Sequence, residues 1–534
     1  MDNIIFWRIF SKRSAVCFFL ILLLFLVSVL RVGVTATADY SKTGYQGNSL
    51  RLTISKQRGT IYDCNMVPIT NSTRKIIAAV SPTPRAVTAI SSVLEGEELQ
   101  DVLSLLRNNK PVLCEIDEWL ECDGIVCTYA YEQSDYIPAI HLIGYTDMDF
   151  RGVSGIQWAY DNILSSDEEI YISYDCNAKG QILEGATPQL VNNTSIEAGG
   201  VVSTIDINIQ SIAEEAASAI ETGAVVIAEA KSGKIRASVS RPDFNMQNLE
   251  KCLESADSPL LNRAINAYNV GSAFKPCVAI AGIESNKNNF IYNCTGSFEI
   301  IDRFFRCHDL NGHGNMNLRS AIAHSCNTFF YNFAFQIGSE KIYDTASSLR
   351  FGKSLEICDN IKTANGNLPQ KEKLENLAQL ANFSIGQGEL LLSPVSMLTL
   401  YSAIANGGGY YVPSVIEGTL KDGKFTEYQK GSKTQVMKKE TADILKEYLG
   451  AVLLEGTGIT ALPKTVSAAG KTATAQTGKY INGIEICQGW FCGFFPLENP
   501  KYVVIVFSEN TNRQALTSNQ IFAQIADKIT ELEK

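Results

Sequence analysis

The sequence predicts an α+β protein carried on one membrane-spanning helix, and three features predict it. One unbroken apolar run lies near the N-terminus. Short alternating strands mix with short helices over residues 60–200. The second half opens with a helix and a hairpin and closes with two strands and a helix. A chain of 534 residues has room for two to four domains at roughly 100–200 residues each. Its 45% hydrophobic content excludes a mostly disordered chain. A net charge of −10 argues against a general nucleic-acid binder, because attraction to phosphates needs a basic surface. Fourteen cysteines are too dilute for a disulfide-rich miniprotein, and four histidines are few for chemistry resting on several imidazoles.

Taken in order, Ser14 to Leu30 is uncharged and almost wholly apolar, 17 residues between Arg13 and Arg31. With Val32-Gly33-Val34 and a snorkelling Arg31 it can just span a bilayer core of about 30 Å. Arg8, Lys12 and Arg13 precede it, which predicts a cytoplasmic N-terminus and an extracytoplasmic body. A cleaved signal peptide is the rival reading, with Thr35-Ala36-Thr37-Ala38 as small residues for cleavage. The anchor is favoured because the run exceeds a usual signal core. Residues 35–60 read as a polar linker leading into a strand. Lys75 to Val80 alternates as a strand, and Leu99 to Leu106 reads as a short helix. Gly199-Gly200 marks a boundary before a new strand, Val201 to Asp206. Ile212, Ala216 and Ile220 put a helix over Ile209 to Ile220. Gly223 to Ala228 and Ile235 to Val239 form a hairpin around Lys231-Ser232-Gly233-Lys234. Trp490 to Phe495 and Tyr502 to Phe507 are strands, and a helix runs from Ser518 to the end. The expected division is a tail over 1–13, an anchor over 14–34, a linker and non-catalytic domain over 35–200, and a catalytic domain over 201–534.

The chemistry starts at Gly271-Ser272-Ala273-Phe274-Lys275-Pro276. If Ser272 opens a helix, its hydroxyl and the Lys275 amine share one face, one turn apart. A serine hydroxyl attacks poorly until a base takes its proton. A lysine serves only as the neutral amine, which desolvation and nearby positive charge favour. The helix N-terminus adds backbone N–H groups for a developing oxyanion. Alone, Ser-x-x-Lys is weak, since such a pair on a solvated helix is common. Two further elements change the weight. Ser325-Cys326-Asn327 lies 53 residues on, at the end of a helical stretch from Leu318 to His324, and Lys471-Thr472-Ala473-Thr474 begins 146 residues beyond that. A second hydroxyl, an amide and a second cation can complete a proton relay and bind a carboxylate.

With these three motifs in order, the chain resembles the class B penicillin-binding proteins, the monofunctional peptidoglycan transpeptidases. Arg58-Gly59-Thr60-Ile61-Tyr62-Asp63 resembles the start of that family's non-catalytic domain. Gly152-Val153-Ser154-Gly155-Ile156-Gln157 resembles a further element, with Gln157 where Glu is usual. Thr204-Ile205-Asp206 with Gln210, Asn262-Arg263-Ala264, Gly386-Gln387-Gly388 with Ser393-Pro394, Ala405-Asn406-Gly407-Gly408 and Trp490-Phe491-Cys492-Gly493 also match. The resemblance covers about residues 58–510. It implies a transpeptidase fold with an antiparallel sheet between helices, behind a transmembrane helix and an elongated pedestal.

By the same resemblance, Ser272 would be acylated by the penultimate D-Ala carbonyl of a stem peptide, with Lys275 as general base. Ser325 and Asn327 would shuttle a proton and hold the substrate amide. Lys471 and Thr472 would bind the terminal carboxylate, and the N–H groups of Ser272 and Thr474 would form the oxyanion hole. β-Lactams would mimic the D-Ala-D-Ala end. One departure is Lys-Thr-Ala where the family has Lys-Thr-Gly. If Ala473 keeps φ in the β region the cost is small. If a positive φ is needed, the methyl costs on the order of 1 kcal/mol or more and displaces Thr474.

Cys294, Cys307, His313 and Cys326 run C-x12-C-x5-H-x12-C between the first two motifs. Three thiols and an imidazole suit tetrahedral zinc. Some elongation-type relatives, by resemblance, hold zinc beside the active site with a cysteine in the middle of the second motif, where Cys326 stands. The alternatives are a Cys294–Cys307 disulfide or buried thiols, and His308 could replace His313. Catalysis itself is expected to need no cofactor. Cys114, Cys122 and Cys127 have no assigned state, Cys487 and Cys492 read as packing residues, His141 and His324 as structural, and Glu389 receives no catalytic role.

The main functional expectation is a D,D-transpeptidase. Alternatives are a β-lactam sensor or weakly active scaffold, for which Ala473 speaks, and a β-lactamase, for which no deacylating base is evident. Beside the linker and pedestal no full glycosyltransferase domain is expected, and no appended C-terminal cell-wall repeats are expected. The resemblance implies a polytopic glycan polymerase of the elongation or division complex as partner. The zinc-like cluster leans toward elongation.

Overall fold

The computed structural model describes residues 2–37, 49–132, 136–147, 149–177, 182–183, 188–192, 199–429, 431–513 and 516–534. Helix α1 (Asp2–Thr37) carries the apolar run. Within it Arg13–Val32 has a mean hydropathy of 2.9 and is wholly unburied, which fits a single-pass membrane anchor. Within the expected linker over 35–60, residues 38–48 lie outside the described residues, Ala38 of the small-residue stretch among them, and Ser49–Arg58 forms a strand.

The chain divides into two compact units that interleave in sequence. One comprises Met1–Ser55, Lys75–Ala130 and Glu169–Asn193; the other comprises Lys56–Arg74, Tyr131–Glu168 and Thr194–Lys534. The expected single cut near 200 falls close to the start of the longest segment of the second unit, but two earlier segments join that unit as well.

The first unit is built on strand β1 (Thr73–Val80), helix α2 (Gly96–Arg107), and strands β2 (Val112–Ile116) and β3 (Ile125–Glu132), with sheet order β2-β1-β3. Alternation sorts the faces. Ala78 and Val80 pack with Val102 and Leu106 of α2, which lie one turn apart, whereas Ala79 packs with Ile172 and Tyr174. The strand and helix expected at Lys75–Val80 and Leu99–Leu106 are both present, each longer by a few residues.

The second unit contains helix α3 (Ile207–Ala217), N-capped by Asp206, and the hairpin β4 (Gly223–Glu229) and β5 (Ile235–Arg241). Then come α4 (Lys275–Glu284), α5 (Leu318–Ala323), α6 (Asn327–Ile337), α7 (Leu377–Ser384), α8 (Pro394–Ala405) and α9 (Lys439–Leu454). The chain closes with strands β6 (Ala469–Ile481), β7 (Ile484–Phe495) and β8 (Tyr502–Ser508), and helix α10 (Ser518–Leu532). The five strands form one antiparallel sheet in the order β5-β4-β8-β7-β6. Strand alternation again assigns the faces. Phe491 and Phe495 meet Phe522 of α10 on one side, with ring centroids 4.4 and 6.1 Å away. Trp490 points to the other side, toward Phe507. An antiparallel sheet between helices is therefore the observed architecture. β6 lies at the sheet edge, so one side of its backbone is not used by β7.

The Gln157 departure has a local compensation. Arg58 Nε donates to Gln157 Oε1 at 2.7 Å, and Nη1 donates to Asp161 at 2.8 Å. Asp161 supplies the negative charge that Gln157 lacks.

Candidate active site

The turn that carries Ser272 is held from several sides. Gly271 has φ +53 and opens a 3-10 turn, Gly271–Phe274, that runs into α4 with Pro276 in its first turn. The sequence suggests an α-helix opening at Ser272; the structure has the tighter turn there. Its three-residue period places positions 272 and 275 over one another. Gly271 N donates to Gly386 O at 2.9 Å, and a Cβ on Gly386 would fall 2.0 Å from Gly271 O. That close approach explains the first glycine of the Gly386-Gln387-Gly388 element, whereas Gly388 has a positive φ of 82° and room for a Cβ. Tyr401 Oη of α8 donates to Ala273 O at 3.0 Å, and Trp490 Nε1 donates to Asn269 O at 2.8 Å. Phe274 is packed against Phe383 and Phe351.

Lys275 is fully buried, and its amine donates to Ser325 O at 2.6 Å, Ser325 Oγ at 3.1 Å and Asn327 Oδ1 at 2.8 Å. No carboxylate is among these partners. Burial therefore dominates and lowers the amine from 10.5 to about 7. Ser325 itself sits at φ +55, between α5 and α6. A non-glycine residue there costs about 1–2 kcal/mol. The backbone reversal turns both its carbonyl and its hydroxyl toward Lys275.

Lys471 is fully buried behind Thr472 rather than exposed to the cleft. Its Nζ donates to Thr472 O at 3.1 Å and lies 3.5 Å from Thr472 Oγ1. Burial, then the charge of Lys275, hold it well below its ordinary value. Ala473 pairs with Trp490 within β6 and is absent from the residues with positive φ. The methyl thus replaces the family glycine in extended backbone, without the strain that a left-handed position would bring.

A cleft of about 590 Å³ gathers Ser272, Ser325, Asn327, Thr472, Ala473 and Thr474. Lys275 and Lys471 lie beneath it. Sequence reasoning missed Thr457, Thr511 and Thr517 to Gln520, which line it too. Thr517-Ser518-Asn519-Gln520 carries a capping-box signal, realised by Thr517 and Gln520. That signal marks a helix start but does not say that the start opens on this cleft.

Cys294, Cys307, His313 and Cys326 converge, with their ligand atoms within 4.8 Å of one another. His313 Nδ1 is 3.5 Å from the sulfurs of both Cys294 and Cys307, and Cys307 Sγ is 3.9 Å from Cys326 Sγ. A tetrahedron with Zn–S of about 2.3 Å has sulfur–sulfur edges of about 3.8 Å, so the donor set fits. Cys294 and Cys307 are free thiols, not a disulfide, and Cys114, Cys122 and Cys127 are free as well. His308 lines the cleft and approaches one sulfur, Cys307, at 3.9 Å, so His313 is the imidazole at the centre of the cluster. His141 is bonded to Pro259 O at 2.6 Å and pushed down to about 4 by burial, consistent with a structural role.

Comparison with known proteins agrees with this geometry. Residues 223–530 match the family described as the penicillin binding protein transpeptidase domain. Stage V sporulation protein D of Bacillus subtilis is 28% identical over 410 residues, 73% of this chain and 61% of that protein. Peptidoglycan D,D-transpeptidase MrdA of Acinetobacter baumannii is 26% identical over 399 residues, 68% of this chain and 58% of that protein. The matched stretches thus span about three-fifths of the length of these two relatives. The crystal structure of penicillin binding protein 3 from Mycobacterium tuberculosis complexed with aztreonam superposes with a TM-score of 0.65 at 21% identity, covering 91% of this chain and 97% of that one. At that identity the likeness shows the fold.

Proposed function

The chain belongs to the penicillin-binding protein transpeptidase family, and we propose that it is a membrane-anchored peptidoglycan D,D-transpeptidase acting through an acyl-enzyme on Ser272. The observation that carries this reading is the Lys275 amine, buried without a carboxylate partner, lowered to about 7 and hydrogen-bonded to Ser325 and Asn327. An amine of that kind is available as a base near neutral pH.

Ser272 Oγ attacks the carbonyl of the penultimate D-Ala of a stem peptide ending in D-Ala-D-Ala. Lys275 takes the hydroxyl proton. The new C–O bond forms, the C–N bond to terminal D-Ala breaks, and the proton passes through Ser325 to the leaving nitrogen. Asn327 holds the substrate amide. Thr472, with the Lys471 amine behind it, receives the terminal carboxylate. The N–H groups of Ser272 and Thr474 face the developing oxyanion, as the edge position of β6 allows. The amine of a second stem peptide then attacks the ester, Ser272 leaves and recovers its proton, and a crosslink results. β-Lactams stop at the acyl-enzyme. The unstrained Ala473 supports an active enzyme over a weakened scaffold.

Arg8, Lys12 and Arg13, ahead of the apolar run within α1, support a cytoplasmic N-terminus and an extracytoplasmic catalytic unit. The family resemblance supports a polytopic glycan polymerase as partner. The donor set of Cys294, Cys307, His313 and Cys326 supports a structural zinc that would tie the segment between the first two motifs together. No step of acyl transfer needs it.

The test is fluorescent-penicillin labelling with mass spectrometry, together with D-Ala release from a pentapeptide in the presence of an amine acceptor. An adduct on Ser272 and crosslinked product are expected. No adduct on Ser272 defeats the reading.

A further inference from the structure

A residue outside the three motifs touches the carboxylate-binding hydroxyl. Thr457 Oγ1 lies 2.7 Å from Thr472 Oγ1, and both residues line the cleft. The position of Thr457 is built by backbone contacts. Thr457 N donates to Ala323 O at 3.0 Å, and Gly458 N donates to Val452 O at 2.9 Å. A Cβ on Gly456 would fall 2.1 Å from Ala323 O, so the Gly456-Thr457-Gly458 turn needs its first glycine to sit this close to α5. The same helix ends two residues before Ser325. One support therefore locates the second-motif serine and the Thr457 hydroxyl together.

Hydroxyl arithmetic gives the direction of the contact. Thr472 Oγ1 has one proton and two lone pairs. A carboxylate only accepts, so a carboxylate bound at Thr472 takes that single proton. The bond to Thr457 must then run from Thr457 to Thr472, and Lys471 Nζ at 3.5 Å faces the other lone pair. Thr457 in this way fixes both the rotamer and the donor sense of Thr472.

We propose that Thr457 is a specificity-determining positioning residue, whose hydroxyl donates to Thr472 and commits Thr472 to donate to the terminal carboxylate of the acyl donor. This rests on the transpeptidase reading above, and deepens it by adding a selector for ligands that carry a free carboxylate. A ligand whose carboxyl is esterified gains nothing from the arrangement.

The experiment compares second-order acylation of the full-length protein by benzylpenicillin and by its methyl ester, in wild type, Thr457→Val and Thr457→Ser. Thr457→Val is expected to slow acylation by the free acid about tenfold, to leave the slower ester reaction unchanged, and to keep the wild-type melting temperature. Thr457→Ser is expected to restore the free-acid rate. Equal losses with both ligands mean a merely structural residue and overturn the proposal, as does no loss with either. If Thr457→Val does not fold, Thr457→Ala is read by the same criteria. A wild type that neither ligand acylates removes the transpeptidase reading itself, which separates the two failures.

Discussion

The substitution Asn327→Asp changes one heavy atom and almost no volume, yet puts a carboxylate 2.8 Å from the Lys275 amine. At present that amine sits near 7 because burial outweighs the opposing charge of Cys326 and Cys307, and no carboxylate is among its partners. At pH 7.5 about three-quarters of it is neutral and able to act as base. An opposite charge at such a distance raises an amine by about 1–3 units. The neutral share at pH 7.5 then falls to about a quarter for one unit and below about 1% for three, a rate loss of about threefold to two-hundredfold. The sign is specific. The rising limb of the acylation profile, with its midpoint near 7 in wild type, moves to about 8–10, and the rate recovers with added alkali. The assay is the second-order rate of fluorescent-penicillin acylation from pH 6 to 10.5. Coupling between the introduced carboxylate and Lys275 makes the midpoint a property of the pair, but leaves its direction unchanged. A midpoint that stays near 7, or a loss that is equal at every pH, would refute Lys275 as the titrating base.

Gly386→Ala combines a positive φ of 72° with a Cβ 2.0 Å from Gly271 O; it should lower the melting temperature and cut Ser272 labelling more than about tenfold, and wild-type labelling would contradict the role given to Gly386. Ala473→Gly should cost about 0.5–1 kcal/mol of stability by chemical denaturation, since it places glycine in a strand, with acylation unchanged within about twofold. A large gain in rate would mean that the methyl obstructs the cleft. Purified wild type should carry about one zinc per chain by elemental analysis, and a chelator should lower its melting temperature. Cys307→Ser should hold less metal and respond less to chelator. A wild type without zinc removes the metal from the proposal.

Much of the fold was legible because its signals are local. Local patterning located α3, the β4–β5 hairpin and the closing strand β8 to within a few residues, and found the second half of β7, which begins six residues before the expected Trp490. The capping residues Asp206 and Thr517 stand where the helices begin. The site was legible in a different way, from the residue types and order of three motifs. The interleaving of the two units was not legible, since nothing local to 56–74 or 131–168 shows which body those segments join. Nor was the 3-10 turn at Ser272, because an i, i+3 pair suits both helix types.

What the linear order of residues determined was the list of candidate site groups: a hydroxyl, two amines, an amide and a thiol–imidazole set, each recognisable from its neighbours in the chain. What the folded state alone decided was their chemistry. The Lys275 amine is lowered toward neutrality only because α4 is buried, and its acceptors come from residues 50 and 52 positions away. Lys471 stands behind Thr472, Thr457 reaches Thr472 across 15 positions, and Ser325 turns through a left-handed backbone. Desolvation and hydrogen-bond direction depend on what surrounds an atom in space, and that surrounding exists only once distant segments have packed.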